Sequence, residues 1–449
     1  MDEKFNLIKY LTSKRNEGII IWLCNIGAER YWSRVSTGVV DRSEDVVVNR
    51  VEEMNLLICR EQDFIILRKA PDEEYLHTLK KMGFSVPRIL ILNNSDLYTP
   101  ISELILKDEK LLSELKLIAS QNREVYFVPY GVTYLEEQIA QETGLNLVGA
   151  PAAINARVND KIFNRDISLK LNFPVCQGYV CQSVDEMRRA YKELAEKPPY
   201  FEKVIIKEPN GASGKGLYVV ESEEKLESTL RLIARLSKGN SESKWLVEGW
   251  YRKKADLNYQ IYISPGGQVD TFSIKQQLLK DTVYIGSKIP PELASNVLGQ
   301  IREYGTKIGE YLYGIGFTGV AGIDSIITED DVIIPIIEIN GRFTLSTYIS
   351  FLNTVMEKKK ILSRYFKVRT NIPLTYQTLN TELNKHGLGF DLINRKGIFV
   401  YTAGTLPAAF TEGSSTCNGR VFTLISADDW EQVDEYNTIL ENVIQGISN

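Results

Sequence analysis

The chain has 449 residues, 43% of them hydrophobic and 25% charged, with 53 basic side chains against 58 acidic ones for a net charge of −5; this length calls for roughly two to four domains, and the acidic balance argues against a nucleic-acid partner. No apolar run approaches the roughly 20 residues of a membrane helix, and the opening MDEKFNLIKY lacks the basic-then-apolar pattern of a secretory signal. Five cysteines without a CxxC pair, and only two histidines, His77 and His386, argue against zinc, a disulfide framework or histidine acid–base chemistry, and make the cytosol the expected location.

In the first ~150 residues apolar strands alternate with amphipathic helices. GIIIWLC, Gly18 to Cys24, is a continuous apolar run of strand length, and NLLICR (from Asn55), DFIILRK (from Asp63), RILIL (from Arg88) and VYFVPY (from Val125) read the same way. DEEYLHTLKKMGF has helical spacing and stops at Gly83, and SELILKDEKLLSELKLIAS, from Ser102, reads as one helix. Buried strands alternating with helices predict a parallel, Rossmann-like sheet over residues 1–148.

Residues 149–255 read as an α+β unit. A helix begins near Asn159, and a second begins at Ser183 with Glu186 in capping-box spacing. Strand, glycine loop, strand, helix and the strand WLVEGWY follow. Residues 256–365 carry longer strands around one helix, Glu292 to Tyr313. A Lys-rich stretch after Met356 leads into a small α+β segment, 366–449, with strands KGIFVYTAG and GRVFTLISA and a closing helix.

Two stretches carry chemistry. Gly211, Ser213, Gly214 and Gly216 form a loop between strands VIIK and LYVV. Glycines let backbone N–H groups approach a phosphate. Lys215 is followed by Gly216, so this is no Walker loop, and a strand follows, so it is no dinucleotide fingerprint; alone, it fits a plain hairpin equally well. Lys207 shifts the balance, because a lysine after Ile205 and Ile206 in a buried strand needs an anionic partner. Lys161, at a helix start, is a second phosphate candidate, although alone it reads as a solvated lysine. Glu248 closes an apolar strand and, with Asp256, is a candidate for the ribose, against a bland reading as strand-end acids.

The other stretch runs from Gly322 to Phe343. Asp324 and Glu338 interrupt apolar strands fourteen residues apart around the turn TEDD, which is hairpin spacing that lets them face each other. Asn340 shares the Glu338 face. Three oxygen ligands suit Mg²⁺, and Arg342 could hold a phosphate or carboxylate. Solvated acids are the alternative, and the apolar neighbours argue against it.

In their order, these motifs resemble an ATP-grasp ligase over roughly Val148 to Phe351, with residues 1–148 similar to the pre-ATP-grasp domain. The resemblance implies two α+β halves gripping ATP. Lys161, Lys207, the 211–216 loop, Glu248 and Asp256 would hold the nucleotide; Asp324, Glu338 and Asn340 would hold Mg²⁺; Lys207, Asn340 and Arg342 would be catalytic. It implies a carboxylate turned into an acyl phosphate and passed to an amine or thiol. The layout is similar to ligases of antibiotic pathways, and Lys275 to Pro291 resembles their substrate-side loop; glutamate as the acid and an acyl carrier protein as acceptor follow from that likeness alone. RKK at Arg252 to Lys254 and EKKK at Glu357 to Lys360 are candidate docking runs for such an acidic carrier. A peptide ligase, a kinase-like phosphotransferase and a non-catalytic nucleotide-binding module are the competing readings.

Overall fold

The computed structural model describes residues 7–8, 17–32, 42–210, 216–236, 244–280, 283–352, 356, 358–410 and 415–448. Five short strands open it: β1 Ile19–Leu23, β2 Phe64–Leu67, β3 Arg88–Ile91, β4 Val125–Pro129 and β5 Asn146–Leu147. They pair in parallel in the order β3-β2-β1-β4-β5. Strand order reverses beside β1, so a crevice opens at the carboxyl ends of β1 and β4. Asn25 and Gly131, just past those ends, exchange two hydrogen bonds of 2.8 and 3.1 Å across it.

Two expected elements differ. The segment from Asn55 is not a strand but the end of a 3-10 helix, Arg50–Leu57. It is buried all round: Glu52 and Glu53 are as buried as Leu56, paired with Arg50. A segment buried on every side, its acids included, shows no helical period to read. The helix expected from Ser102 is two, Ile101–Leu106 and Glu109–Gln121. Asp108 breaks it by accepting a bond from Leu111 N as N-cap and by holding Asn93. The second helix of the next region, Val184–Glu196, has its Ser183 cap, but Glu186 reaches back to Gln182 N, one residue beyond the capping-box position.

Four antiparallel strands follow: β6 Gly178–Cys181, β7 Val204–Lys207, β8 Leu217–Val220 and β9 Trp245–Gly249, ordered β6-β9-β7-β8. Val204, Ile206, Val220 and Val247 form one face's core with Leu194, Leu226 and Leu230 of the two covering helices. The opposite face carries Ile205, Lys207, Leu246 and Glu248, since register partners share a side.

The largest sheet has eight antiparallel strands: β10 Lys253–Ile263, β11 Val269–Lys280, β12 Val283–Ile289, β13 Gly319–Thr328, β14 Ile333–Asn340, β15 Lys360–Thr370, β16 Gly397–Val400 and β17 Cys417–Ala427. Their order is β14-β13-β10-β11-β12-β15-β17-β16. The stretch from Lys275 is therefore the β11–β12 pair rather than a loop, with residues 281 and 282 outside the described set. β15 pairs over its whole length with β17 and also joins β12, so the sheet continues unbroken past residue 365. This C-terminal portion packs on the helices of the parallel-sheet region: Tyr75 OH donates to Tyr401 O at 2.6 Å, and Glu53 accepts from Ala403 and Gly404 N–H.

Candidate active site

Asp324 and Glu338 are direct register partners across β13 and β14. Asn340, two residues on, donates to Asp324 Oδ2 at 3.3 Å. Asp324 Oδ1 accepts from Asn258 at 2.8 Å and from Gln277 at 2.9 Å. These amides, on β10 and β11, orient one carboxylate without neutralising it. Burial first, then the charge of Glu338, push the Asp324 carboxyl up to about 6, against the pull of the Asn258 and Gln277 hydrogen bonds. A group whose charge is raised in cost this way is suited to a cation that supplies the missing positive charge.

Lys161 begins the helix Lys161–Lys170, capped by Asp160. It is 3% exposed, so it is not a solvated lysine, and its Nζ donates to Glu338 Oε1 at 3.0 Å. Its backbone N–H donates to Pro209 O, which ties the helix start to the chain entering the glycine loop.

Lys207 and Glu248 occupy the same face of the four-stranded sheet and are joined at 2.7 Å, both buried. Arg165 holds the other carboxylate oxygen of Glu248 at 3.0 Å and also bonds Cys176 O and Gly178 O. Burial works against the charge of Lys207, but Glu248, Cys176 and the more distant Glu338 outweigh it and the pKa is raised. The helix Lys161–Lys170 links the charged groups of the two sheets, with Lys161 on Glu338 and Arg165 on Glu248. Gly216 stands at φ +74° beside Glu208, whose N–H donates to Gly216 O at 2.8 Å. Gly211, Ser213 and Gly214 lie outside the described residues.

Arg342 lines the crevice of the parallel sheet, and its charge also acts on Asp324, lowering the pKa of that carboxyl. It donates to Tyr130 OH and Phe343 O, both at 3.1 Å, and its guanidinium is 5.2 Å from the Tyr130 ring centre. Asp256 pairs with Lys253 at 2.5 Å. The RKK run is also spoken for, with Arg252 on Glu202, Lys253 on Asp256 and Lys254 on Asp331. In the second run Lys359 holds Asp428 and Lys360 lies over Trp430, while Glu357 is outside the described residues.

Residues 51–145 match the pre-ATP-grasp domain family and residues 167–343 match the ATP-grasp domain family. The chain belongs to the ATP-grasp ligases. It is 26% identical over 433 residues, 94% of each chain, to the [Butirosin acyl-carrier protein]--L-glutamate ligase of Niallia circulans. Its fold is similar to an ADP complex of N5-carboxyaminoimidazole ribonucleotide synthetase, with TM-score 0.55 and 12% identity over 96% of this chain and 97% of that one. It is also similar to the biotin carboxylase domain of Hydrogenobacter thermophilus 2-oxoglutarate carboxylase, with TM-score 0.56 and 16% identity over 94% and 89%.

ATP-grasp enzymes use ATP with Mg²⁺, and the donors here fit both. Asp324, Glu338 and Asn340 offer hard oxygens on one sheet face, as Mg²⁺ requires. Among the described residues no cluster of three or more His, Cys, Asp or Glu could hold a metal alone. Two carboxylates and an amide leave positions for waters and phosphate oxygens, which suits Mg²⁺ bound together with a nucleotide. Among the described residues no helix is long and apolar enough to cross a membrane.

Proposed function

We propose that this ATP-grasp enzyme activates the carboxylate of an amino acid as an acyl phosphate and transfers the acyl group to an acceptor, most specifically L-glutamate to the thiol of an acyl carrier protein, as in butirosin-type antibiotic biosynthesis. The observation that carries the reading is the joining of two charge sets by one helix: Lys161 at its start holds Glu338, the partner of Asp324, and Arg165 one turn on holds Glu248 beside Lys207. The substrate choice rests on the full-length likeness to the glutamate ligase.

Lys161 and Lys207 would hold phosphate oxygens, and the 211–216 loop would cover them. Glu248 would meet the adenosine; Asp256, engaged with Lys253, is the weaker ribose candidate. Bound Mg²⁺, held by Asp324, Glu338 and Asn340, would offset charge on the transferring phosphoryl group. Arg342 would orient the acid at the mouth of the crevice. A carboxylate oxygen then bonds to the γ-phosphorus, the bridge to the β-phosphate breaks, and ADP leaves. The acceptor sulfur or nitrogen next bonds to the acyl carbon, and inorganic phosphate departs with the C–O bond pair. A thiol, partly ionised near neutral pH, needs no histidine base. A cytoplasmic location goes with this chemistry.

The test is ADP and phosphate release over a panel of amino acids, with and without holo carrier protein, with the carrier's mass followed. Expected are ADP as nucleotide product and a carrier gaining one glutamyl group. AMP and pyrophosphate in stoichiometric yield overturn acyl phosphate chemistry. Free amines acylated while the carrier never gains mass establish the peptide ligase instead. Nucleotide binding without turnover on any acid leaves the non-catalytic module. Charge reversal of both runs, Arg252 to Lys254 and Lys358 to Lys360, is the docking probe; it should raise KM for the carrier and leave KM for ATP unchanged.

A further inference from the structure

Lys275 is entirely buried, yet all three of its hydrogen-bond partners are neutral. It lies on β11 as register partner of Asn258, which is partner of Asp324, which is partner of Glu338. These four side chains form one polar row across four strands, on one face of the sheet.

The Lys275 ammonium donates to Ser346 O at 2.6 Å, Ser346 Oγ at 3.1 Å and Ser350 Oγ at 2.6 Å. Three N–H groups meet three oxygens, so its donor capacity is used fully. All of them sit on the helix Leu345–Leu352. Burying a cation among neutral groups is expensive, and burial alone pulls this amine down to about 7. A neutral side chain could tether a helix at lower cost. Departures from such a rule concentrate where function demands them.

A second tether runs beside the first. Asn258 donates to Asp324 and accepts from Gln260. Gln260 Oε1 accepts from Thr347 Oγ1 at 2.6 Å, and Gln260 Nε2 donates to Thr344 Oγ1 at 3.3 Å. The helix start is thus fastened to β10 and β11, and one fastening ends on Asp324. Only Phe343 separates Thr344 from Arg342, whose guanidinium stands on Tyr130 at the crevice mouth. Where the helix start sits decides where that guanidinium can stand.

We propose that Lys275 is a positioning residue, whose ammonium seats the start of the helix at Ser346 and Ser350 and thereby fixes Arg342 on the acid-substrate side of the crevice. The inference rests on the ligase reading for the identity of that side. Lys275→Met keeps an unbranched side chain one atom shorter and removes its donors. Displacing a substrate-positioning group by about 1 Å can cost ~10²-fold. The variant should therefore lose about 10- to 100-fold in kcat/KM for the acid. Its Kd for Mg·ATP should stay within about twofold of wild type, because every bond Lys275 makes is to the helix.

Ser350→Ala, which removes one acceptor from the opposite side, should give a smaller loss of the same kind. Combined with Lys275→Met it should add little, since both cut one tether. If Lys275→Met does not fold, the Ser350→Ala split between acid and nucleotide decides the matter alone. Wild-type kcat and KM for the acid in folded variants, with only a lower Tm, overturns the positioning role. A wild-type protein that forms no ADP with any acid sinks the ligase reading and this inference with it; active wild type beside unchanged variants sinks the inference alone.

Discussion

Lys161 and Glu338 are joined at 3.0 Å across 177 residues of chain, the lysine at a helix start and the carboxylate on an edge strand of the large sheet. Both are also the residues from which a nucleotide and its metal would be held. The pair therefore keeps two recruited charges satisfied against each other. A triphosphate arriving with Mg²⁺ can take the lysine while the metal takes the carboxylate, so neither charge is left buried alone at any stage.

Glu338→Gln should leave the fold intact and cut turnover by about 10²–10³-fold, the usual cost of one preorganised electrostatic contact, roughly 3–4 kcal/mol. Glutamine still accepts a bond from Lys161 but offers Mg²⁺ no charge. ADP release measured against Mg²⁺ concentration should show a raised requirement for metal. Near-normal turnover with unchanged Mg²⁺ dependence would remove Glu338 from the site.

Lys207→Ala acts on stability and on binding at once. Glu248 stays buried, held by Arg165 alone. Breaking a buried pair from one side costs about 3–5 kcal/mol, and the remaining arginine should keep the loss near the lower end. Tm falls whatever the lysine does for ATP. The deciding quantity is the rise in Tm on adding Mg·ATP, which should shrink sharply in the variant. An undiminished rise would make Lys207 purely structural.

The hairpin of Asp324, Glu338 and Asn340 was legible because acids that interrupt apolar strands on either side of a turn have few other places to go. The residues that orient it were not. Asn258 and Gln277 are neutral amides on half-polar strands, and no charge or glycine marks them. Arg165 could have been found: it lies four residues after Lys161 on one helix, hence on the same face. The loop expected over Lys275 to Pro291 rests on family likeness alone, whereas the chain there pairs as β11 and β12. β15 escaped because its charged residues Lys360, Arg364, Lys367 and Arg369 mask a strand that is paired on both sides. Sheet pairing partners so far apart in sequence leave no local trace.

Gly216→Ala should weaken nucleotide binding more than it weakens the fold. A left-handed φ of +74° costs a non-glycine residue about 1–2 kcal/mol. The new Cβ would also stand 2.6 Å from Glu208 Oε2 and 2.8 Å from Glu208 Cβ. Glu208 follows Lys207 directly, so relief of the clash moves the chain at the phosphate lysine. Calorimetric titration with Mg·ATP should show the loss, and an unchanged Kd would place Gly216 outside the nucleotide site.

Asp324 gives the pH dependence, and its sign is unusual for a carboxylate. Its folded pKa of about 6 lies above the ordinary ~3.9, so between those values the folded protein binds more protons than the unfolded chain. Stability from this group is present below about pH 4 and is lost as pH rises to about 6. At pH 7.5 without Mg²⁺ the ionised side chain is therefore a net burden. Asp324→Asn should raise Tm there, show no advantage near pH 4, and abolish ADP formation. Saturating Mg·ATP should reverse the order of the two melting temperatures, because only the carboxylate draws stabilisation from the metal. In the wild type, turnover at low Mg²⁺ should climb through about pH 6, and added Mg²⁺ should move that inflection down as metal competes with the proton. An Asp324→Asn protein that melts below the wild type at pH 7.5 without Mg²⁺ would contradict the strained carboxylate and, with it, its suitability as the metal's charged ligand.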